Sequence, residues 1–420
     1  MMAALAVNLP TAFRPALAPA LILLAATLAL WLGPSLPASL AGLRTAGPYA
    51  VLGAAVAVAL GFNRGRASFF AATLLAAFAG CTFAFGGNTL AAKAAYTLVT
   101  VLVPLNALAA LILPERGVAH HGAWRWIALL AAEAMLVAWI ALSGHIALYA
   151  ATWQQALEHW LLRSPPTPLV GRIAFALAFA AAAWRAWPRH MPLDLGMAAA
   201  LIGFFVACEF RESPAVFNGF FSAAGAILIV ALLQESFRLA FYDELTGLPG
   251  RRALEERMRA LGPAYTLAMV DVDHFKKFND THGHDTGDQV LKLVAARLAE
   301  VGGGGSAYRY GGEEFTVLFP DRRLERALPA LEAIRASIES YRMAVRREDR
   351  PKDPQQGSKL RGESAAEKTM AQNLSPTLSV TVSIGAAEPA KSRTTPARVM
   401  KAADEALYRA KQGGRNRVQA

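Results

Sequence analysis

The segment Ala307-Tyr-Arg-Tyr-Gly-Gly-Glu-Glu-Phe-Thr-Val-Leu-Phe319 predicts a β-hairpin. Two short runs rich in aromatic and β-branched residues, 307–310 and 313–319, are typical of strands. Gly311-Gly312 lies between them, and a Gly-Gly pair favours a tight turn because both residues can adopt a positive φ. Glu313 and Glu314 follow the turn directly. The sequence therefore predicts two carboxylates at the tip of the hairpin.

A second acidic strand end lies upstream of this hairpin. Residues 265–272 are apolar and β-branched, which predicts a strand, and Asp271 lies at its carboxyl end with Asp273 just beyond. If this strand neighbours the hairpin, Asp271 and Glu313 converge on one point. Paired carboxylates suit a hard cation such as Mg²⁺, which bridges phosphate oxygens in phosphoryl and nucleotidyl transfer. Taken singly, such acidic strand ends are also common as solvated surface.

The segment between these two strands predicts a helix. Within 285–301 an apolar stripe recurs at helical spacing, and the glycine run 302–305 ends it. The predicted stripe consists of Val290, Leu291, Val294, Leu298 and Val301.

The two parts of the chain differ sharply in charge. The 420 residues are 55% hydrophobic and 17% charged, against about 25% charged in soluble domains, and the net charge is +11. Residues 1–236 hold 12 Lys/Arg and 7 Asp/Glu, whereas 237–420 hold 30 and 24. These figures exclude a disordered chain and a soluble single-domain enzyme. Two cysteines, Cys81 and Cys208, cannot build a disulfide framework.

The amino-terminal part predicts a membrane all-α bundle of about eight transmembrane helices. A span needs roughly 20 mostly apolar residues, and basic loops favour the cytoplasmic side, which places both termini inside. A cleaved signal peptide at the first span is the alternative, and it leaves seven spans. The candidate spans are 16–32, 48–62, 67–85, 94–113, 124–142, 169–187, 195–209 and 215–234.

Two features of this part suggest further roles. Glu133 lies inside an apolar run, where an ionisable group indicates either ligand or proton sensing or a pairing with a neighbouring helix. The outer loop 143–168 contains Trp153, His159 and Trp160, which fits an interfacial amphipathic helix. We therefore divide the chain into a polytopic membrane sensor (1–235), a helical connector (236–242) and a soluble domain (243–420). Within the last, the polar insertion 346–375 indicates disorder or a contact with a partner or membrane surface.

Seven motifs of the soluble part occur in one order, and together they resemble the GGDEF family, the diguanylate cyclases, over about residues 241–418. They are Asp243-Glu-Leu-Thr-Gly-Leu248, Asp271-Val-Asp-His-Phe-Lys-Lys-Phe-Asn-Asp280, Gly283-His-Asp-Thr-Gly-Asp288, Arg309-Tyr-Gly-Gly-Glu-Glu-Phe315, Val382-Ser-Ile-Gly385, Asp404-Glu-Ala-Leu-Tyr408 and Lys411-Gln-Gly-Gly-Arg-Asn416. The fourth motif is the GGEEF variant of the family's signature.

The resemblance implies an α/β (α+β) palm-like nucleotide cyclase domain with a central, mostly antiparallel sheet. It implies that two GTP molecules condense to cyclic di-GMP and two pyrophosphates, with the 3′-hydroxyl of one attacking the α-phosphate of the other. Each domain of a homodimer presents one GTP, and the metal cofactor is Mg²⁺ or Mn²⁺. We expect a multi-pass protein of the bacterial inner membrane with its cyclase domain in the cytoplasm, an unidentified membrane-domain ligand and no nucleic-acid partner.

The resemblance also assigns site residues by position. Metal ligands are Asp271, Glu313 and the carbonyl of Val272, while Glu314 holds a second metal or activates the hydroxyl, and the choice of base between the two glutamates stays open. Asn279 and Asp288 match the guanine readers. The phosphate contacts are Lys276, Lys411 and Arg415, with Arg309 nearby, and the base pocket is lined by Phe275 and Leu291.

This chain departs from the family where many members carry an inhibitory Arg-x-x-Asp product site. Gly302 and Gly305 occupy those positions, so the resemblance predicts no such site here. Pro249-Gly250 also places glycine where asparagine is usual. Two other functions remain open: a catalytically silent GTP-binding membrane receptor, and a transporter whose soluble half regulates it.

Overall fold

The computed structural model describes residues 14–31, 41–84, 90–142, 166–189, 191–344, 377–390 and 395–420. The chain divides into two compact units, residues 1–237 and 238–420. Each unit is described by itself. The predicted insertion 346–375 and the predicted interfacial helix around Trp153, His159 and Trp160 lie outside the described residues.

In the described residues of the first unit, all regular secondary structure is helical. Runs of Ala, Leu, Val and Phe form helices of 18–28 residues, which span about 27–42 Å at 1.5 Å per residue. The helices are α1 Arg14–Trp31, α2 Ala41–Gly61, α3 Gly65–Ala84, α4 Leu90–Ile112, α5 Ala123–Leu142, α6 Leu169–Arg189, α7 Pro192–Glu209 and α8 Pro214–Phe241.

Among the described residues, five helices are long and apolar enough to cross a membrane. They are Gly65–Thr82, Ala91–Ile112, Ala123–Leu142, Pro192–Glu209 and Pro214–Phe241. Helices α1 and α2 contribute shorter apolar stretches, Pro15–Trp31 and Thr45–Gly61. Length and composition thus support membrane association, and the count of eight spans stays a prediction.

Aromatic packing and one buried ion cluster hold the first unit together. The Phe221 ring packs 5.0 Å from Phe78 and 5.5 Å from Phe204, centroid to centroid, and all three side chains are fully buried. The buried Asp194 carboxylate binds two guanidinium groups, Arg66 at 2.6 Å and Arg185 at 2.9 Å. Because a buried charge must be paired, this cluster fixes the ends of α3, α6 and α7 against one another.

The second unit is built on a five-stranded sheet. In spatial order its strands are β2 (Ser306–Gly311), β3 (Glu314–Pro320), β1 (Tyr265–Val272), β6 (Val382–Ala387) and β7 (Val418–Gln419). Every pairing is antiparallel except β6 with β7, so the sheet is mixed and mostly antiparallel. Its elements, in chain order, are α9 Arg251–Arg259, β1 Tyr265–Val272, α10 Phe275–His282, α11 His284–Ala299, β2 Ser306–Gly311, β3 Glu314–Pro320, α12 Leu324–Ser340, β4 Met343–Ala344, β5 Thr377–Leu378, β6 Val382–Ala387, α13 Pro396–Gln412 and β7 Val418–Gln419.

The central strand β1 is buried on both faces, which explains its unbroken apolar sequence. Alternate residues point to opposite faces of a strand. Ala268 and Val270 pack with α11 and α12, whereas Leu267 and Met269 pack with α9 and α13. Gly385 of β6 lets α13 approach closely, because a Cβ there would lie 1.9 Å from the backbone nitrogen of Leu407. Two helical layers therefore hold β1 and its acidic end in place.

Candidate functional site

The predicted hairpin exists, but its second strand begins one residue later than predicted. Strand β3 begins at Glu314, so Glu313 lies in the turn rather than in the strand. Of the two glycines that can adopt a positive φ, only Gly312 does, at 29°. The cause is a register shift between Arg309 and Gly311, which pairs Gly311 with Glu314. This bulge turns Glu313 out of the strand ladder.

Strands β1 and β3 are neighbours, which meets the condition set for the predicted site, and they bring the acidic residues together. Asp271 lies directly opposite Glu314 in the antiparallel register, and the Val272 N–H donates to the Glu313 carbonyl at 3.4 Å. Asp271 and Glu313 line one cleft of about 390 Å³. Five further predicted site residues line the same cleft: Val272, Phe275, Lys276, Lys411 and Arg415.

Burial and neighbouring acids raise the pKa of both carboxylates of this cleft. Lys411 Nζ lies 2.9 Å from Asp271 Oδ2, yet burial raises the pKa of Asp271 above its ordinary value, and the charge of Asp273 adds to the rise. Burial and the neighbouring Asp271 carboxylate likewise raise the pKa of Glu313. Both shifts disfavour the ionised acids, which a bound cation would relieve.

The donor set fits Mg²⁺ rather than an all-protein metal cage. No group of three His, Cys, Asp or Glu residues able to hold a metal occurs in the part of the chain that the structure describes. Asp271, Glu313 and the Val272 carbonyl offer two carboxylates and one neutral oxygen. Mg²⁺ is usually bound by one or two carboxylates, with water and substrate phosphates completing the octahedron.

A second part of the site surrounds Asn279 on α10. Its side-chain oxygen is buried and has no hydrogen-bond partner among the described residues, and a buried polar atom without a partner indicates a missing ligand or water. Gly287 permits this arrangement, because a Cβ there would lie 1.8 Å from Asn279 Oδ1 and 3.2 Å from the Phe275 ring. Sequence reasoning quoted Gly287 within a motif without giving it a role.

The remaining predicted base-site residues lie on α11 beside Gly287. Asp288 is exposed and is the next residue along the helix, while Leu291 is buried one turn further on. Successive turns of one helix thus carry a carboxylate, next in sequence to the Gly287 that faces Asn279, and an apolar side chain. Neither residue lines the 390 Å³ cleft itself.

Arg309 does not line the cleft either, and its contacts are structural. Its guanidinium donates from Nη1 to Asp243 Oδ1 at 2.7 Å and from Nη2 to the Gly312 carbonyl at 2.8 Å. Burial alone would raise the pKa of Asp243, but hydrogen bonds from Thr246 and Arg309 lower it below its ordinary value. Arg309 therefore clamps the turn that carries Glu313, and its predicted phosphate contact stays a prediction.

Asp273 was predicted from the sequence only as a second acid just beyond Asp271, and its hydrogen bonds show a role that the sequence did not reveal. It is buried and accepts hydrogen bonds from the Ser383 hydroxyl at 2.6 Å, the Thr381 hydroxyl at 2.7 Å and the Asn416 N–H at 3.1 Å. The last bond holds the turn at Arg415 and Asn416, whose φ values are 62° and 45°. Because both non-glycine residues are left-handed, this turn is costly without such a tie. Ser383 inside a buried strand was the available signal.

Two further predicted positions have clear places in the fold. Glu314 begins β3 and is half-buried, opposite Asp271. Gly302 and Gly305 lie in the turn before β2, where Gly303 and Gly304 take φ values of 67° and 80°. With no side chains at Gly302 and Gly305, this turn offers no Arg or Asp to a ligand.

The second unit is similar to known proteins. The family model described as "Diguanylate cyclase, GGDEF domain" matches residues 240–358 and 354–417. "Response regulator PleD" of Caulobacter vibrioides is 38% identical over 194 residues, 44% of this chain and 37% of that protein. "Diguanylate cyclase VdcA" of Vibrio cholerae is 34% identical over 218 residues, 50% of this chain and 56% of that protein. The chain thus spans about a third to a half of these relatives' lengths.

Solved structures of similar domains also match. The coiled coil and GGDEF domain of DgcB from Caulobacter crescentus, in complex with c-di-GMP, is 34% identical to this chain. The match covers 45% of this chain and 89% of that one, with a TM-score of 0.36.

Proposed function

We propose that this chain, whose carboxyl-terminal unit is a GGDEF domain, is a membrane-anchored diguanylate cyclase. It condenses two GTP molecules to cyclic di-GMP with release of two pyrophosphates. The observation that carries the proposal is the convergence of Asp271, Glu313, Lys411 and Arg415 on one cleft, next to the orphaned Asn279 oxygen. The acidic side chains match a metal ion, the basic side chains match the phosphates, and the unpaired amide oxygen matches the nucleobase of a nucleotide.

The phosphate end of the cleft combines both signs of charge. Asp271, Glu313 and the Val272 carbonyl would hold Mg²⁺ or Mn²⁺, which when bound neutralises phosphate charge and polarises the phosphorus–oxygen bond. Lys276, Lys411 and Arg415 neutralise the remaining phosphate oxygens. When nucleotide enters, the ion pair between Lys411 and Asp271 is replaced by the contacts of Asp271 with the metal and of Lys411 with phosphate. Lys411 is one-third exposed, so its side chain can turn toward the phosphates.

The base end reads guanine by hydrogen bonding. Asp288 accepts from guanine N1–H and the N2 amino group, while the Asn279 amide binds the base edge, and Phe275 and Leu291 pack against the ring. Adenine lacks the N2 amino group and carries an acceptor at N1, so it would leave the Asp288 carboxylate mispaired. A site built for polar contacts rejects the analogue lacking them by large factors.

The reaction needs two such clefts. One domain positions one GTP, and the 3′-hydroxyl of the second GTP must reach its α-phosphate, so catalysis takes a homodimer. Glu313, in the turn, and Glu314, which begins β3, are the two candidates to accept the hydroxyl proton. The helical unit anchors the enzyme in the bacterial inner membrane, with the cyclase in the cytoplasm, and passes a signal through the last helix, α8.

Chromatography of nucleotides tests the proposal. Full-length protein in detergent, supplied with GTP and Mg²⁺, should produce cyclic di-GMP, and Glu313→Gln should abolish it without loss of folding. Glu255→Gln, which changes an exposed carboxylate paired with Arg251 on α9, is the matched control and should leave the rate unchanged. GTP binding without product, even after forced dimerisation, would instead support the silent receptor.

A further inference from the structure

A pocket of about 370 Å³ lies inside the first unit, between helices α3, α4 and α5. Its volume falls within the range of about 300–1,000 Å³ that small-molecule sites occupy. Of its 15 lining residues, 13 are apolar or glycine, and the two others are Thr73 and Glu133. The Thr73 hydroxyl donates to the Phe69 carbonyl at 2.9 Å, so its proton is already used within α3.

Glu133 gives this pocket a specific chemistry. Its Oε2 accepts a hydrogen bond from Asn106 Nδ2 on α4 at 2.7 Å, and Asn106 is buried. The second carboxyl oxygen, Oε1, has no partner within the described part of the chain, and no basic side chain there forms an ion pair with it. An intramembrane carboxylate is costly unless a cation or several donors accompany it. The pocket therefore presents an acid that the protein itself leaves without a countercharge.

The depth of Glu133 excludes a phospholipid headgroup as that countercharge. Glu133 lies ten residues after Ala123 and nine before Leu142, so it is about 15 Å from either end of α5. A hydrocarbon core is about 30 Å thick, which places Glu133 near its middle and the headgroups about 15 Å away. The ligand must be a molecule that dissolves in the hydrocarbon region.

The pocket walls are asymmetric. On one side, Val99 and Val103 of α4 and Ala77 of α3 belong to the buried core of the unit. On the other side, α5 has no buried residue at all. A ligand would thus lie between the packed core of the unit and the less buried helix α5. Its contacts with α5 would add to the packing of this helix against α3 and α4.

We propose that this pocket binds a small amphiphilic amine. The ammonium group pairs with Oε1 of Glu133, and the hydrocarbon body packs against the apolar walls of α3, α4 and α5. The ammonium supplies both the missing positive charge and a hydrogen-bond donor. This inference does not rest on the nucleotide chemistry, since its test measures amine binding and not nucleotide turnover.

Thermal unfolding of the full-length protein in phosphatidylcholine nanodiscs tests the proposal. Octylamine is the probe, and octanol, which has the same chain and a neutral donor, is the matched control. We expect octylamine to raise the unfolding midpoint with saturation, and octanol to leave it unchanged. In Glu133→Gln the amide oxygen can still accept from Asn106, but the charge is gone, and the octylamine shift should vanish.

Two further variants separate recognition from general destabilisation. Gly80→Leu extends a side chain into the pocket that Gly80 lines, because a Cβ there makes ordinary van der Waals contact with Val137 at 3.7 Å and Val99 at 4.0 Å. It keeps Glu133 and should still lose the shift. Glu209→Gln removes a carboxylate that binds Arg172 at 3.0 Å outside this pocket, and it should retain the shift.

Three results would overturn the proposal: no octylamine shift in the wild type, an equal shift with octanol, or a shift that survives in Glu133→Gln. Any of them would leave Glu133 as a hydrogen-bonded link between α4 and α5.

Discussion

Replacing Gly287 with alanine tests the geometry of the proposed base site with one methyl group. The new Cβ would lie 1.8 Å from Asn279 Oδ1 and 2.9 Å from its Cγ, which is far inside contact distance. Because the methyl is fixed to α11, the Asn279 side chain must leave its place. We expect the loss of one hydrogen bond to the base, about 0.5–1.5 kcal/mol, or about a 2- to 12-fold rise in KM for GTP.

The effect of Gly287→Ala on the free energy of unfolding should be small. Alanine is favoured over glycine inside a helix by about 0.8–1 kcal/mol, and overpacking costs about 1–3 kcal/mol. The two terms partly cancel, so the protein should fold and retain much of its kcat, since the metal and phosphate contacts are untouched. The expected result is therefore a rise in KM without a matching loss of kcat.

Steady-state cyclic di-GMP formation over a range of GTP concentrations is the assay. Gly302→Ala is the matched control, because a Cβ at Gly302 meets nothing within 4 Å and its φ is not positive. It should leave KM and kcat unchanged. An unchanged KM in Gly287→Ala would refute the placement of Asn279 in the base site.

Three other substitutions test separate parts of the site. Asp288→Asn exchanges an acceptor for an amide that can also donate, and the GTP-to-ATP ratio of kcat/KM should fall by about tenfold or more; an unchanged ratio would remove Asp288 from base recognition. Asp273→Ala leaves the left-handed turn at Arg415 without its tie, and product formation should fall while far-UV circular dichroism is retained; full activity would show that the turn holds by itself. Arg309→Lys cannot bind Asp243 and the turn carbonyl together, so kcat should drop with little change in KM, whereas a rise in KM alone would favour the phosphate contact predicted from the sequence.

Much of the soluble fold follows from local sequence patterns. The apolar run of β1, the alternation that divides its residues between two helical layers, and the apolar stripe of α11 each reflect a single periodicity. The adjacency of β1 and β3 was only the condition on which the predicted shared site depended, and the structure meets that condition. These patterns are local in the sequence, and the strand and helix that they predict are present in the folded unit.

One miss comes from a local irregularity of the hairpin, and another comes from a contact between distant segments. The bulge after Arg309 depends on the pairing of Gly311 with Glu314 and moves Glu313 into the turn. Asp273 reaches Asn416 across 143 positions of sequence. No periodicity or spacing encodes such a bond. In the first unit, apolar composition predicted the helices, but the pairing of Glu133 with Asn106 required knowing which helices are adjacent.

The most direct test of the central claim is the stoichiometry of GTP turnover. Full-length protein with Mg²⁺ and GTP should release one pyrophosphate for each GTP consumed and form one cyclic di-GMP for every two, and the specific rate should rise with protein concentration while the dimer is dilute. Release of inorganic phosphate with GDP, or consumption of GTP without a product containing two guanylyl units, would contradict the account.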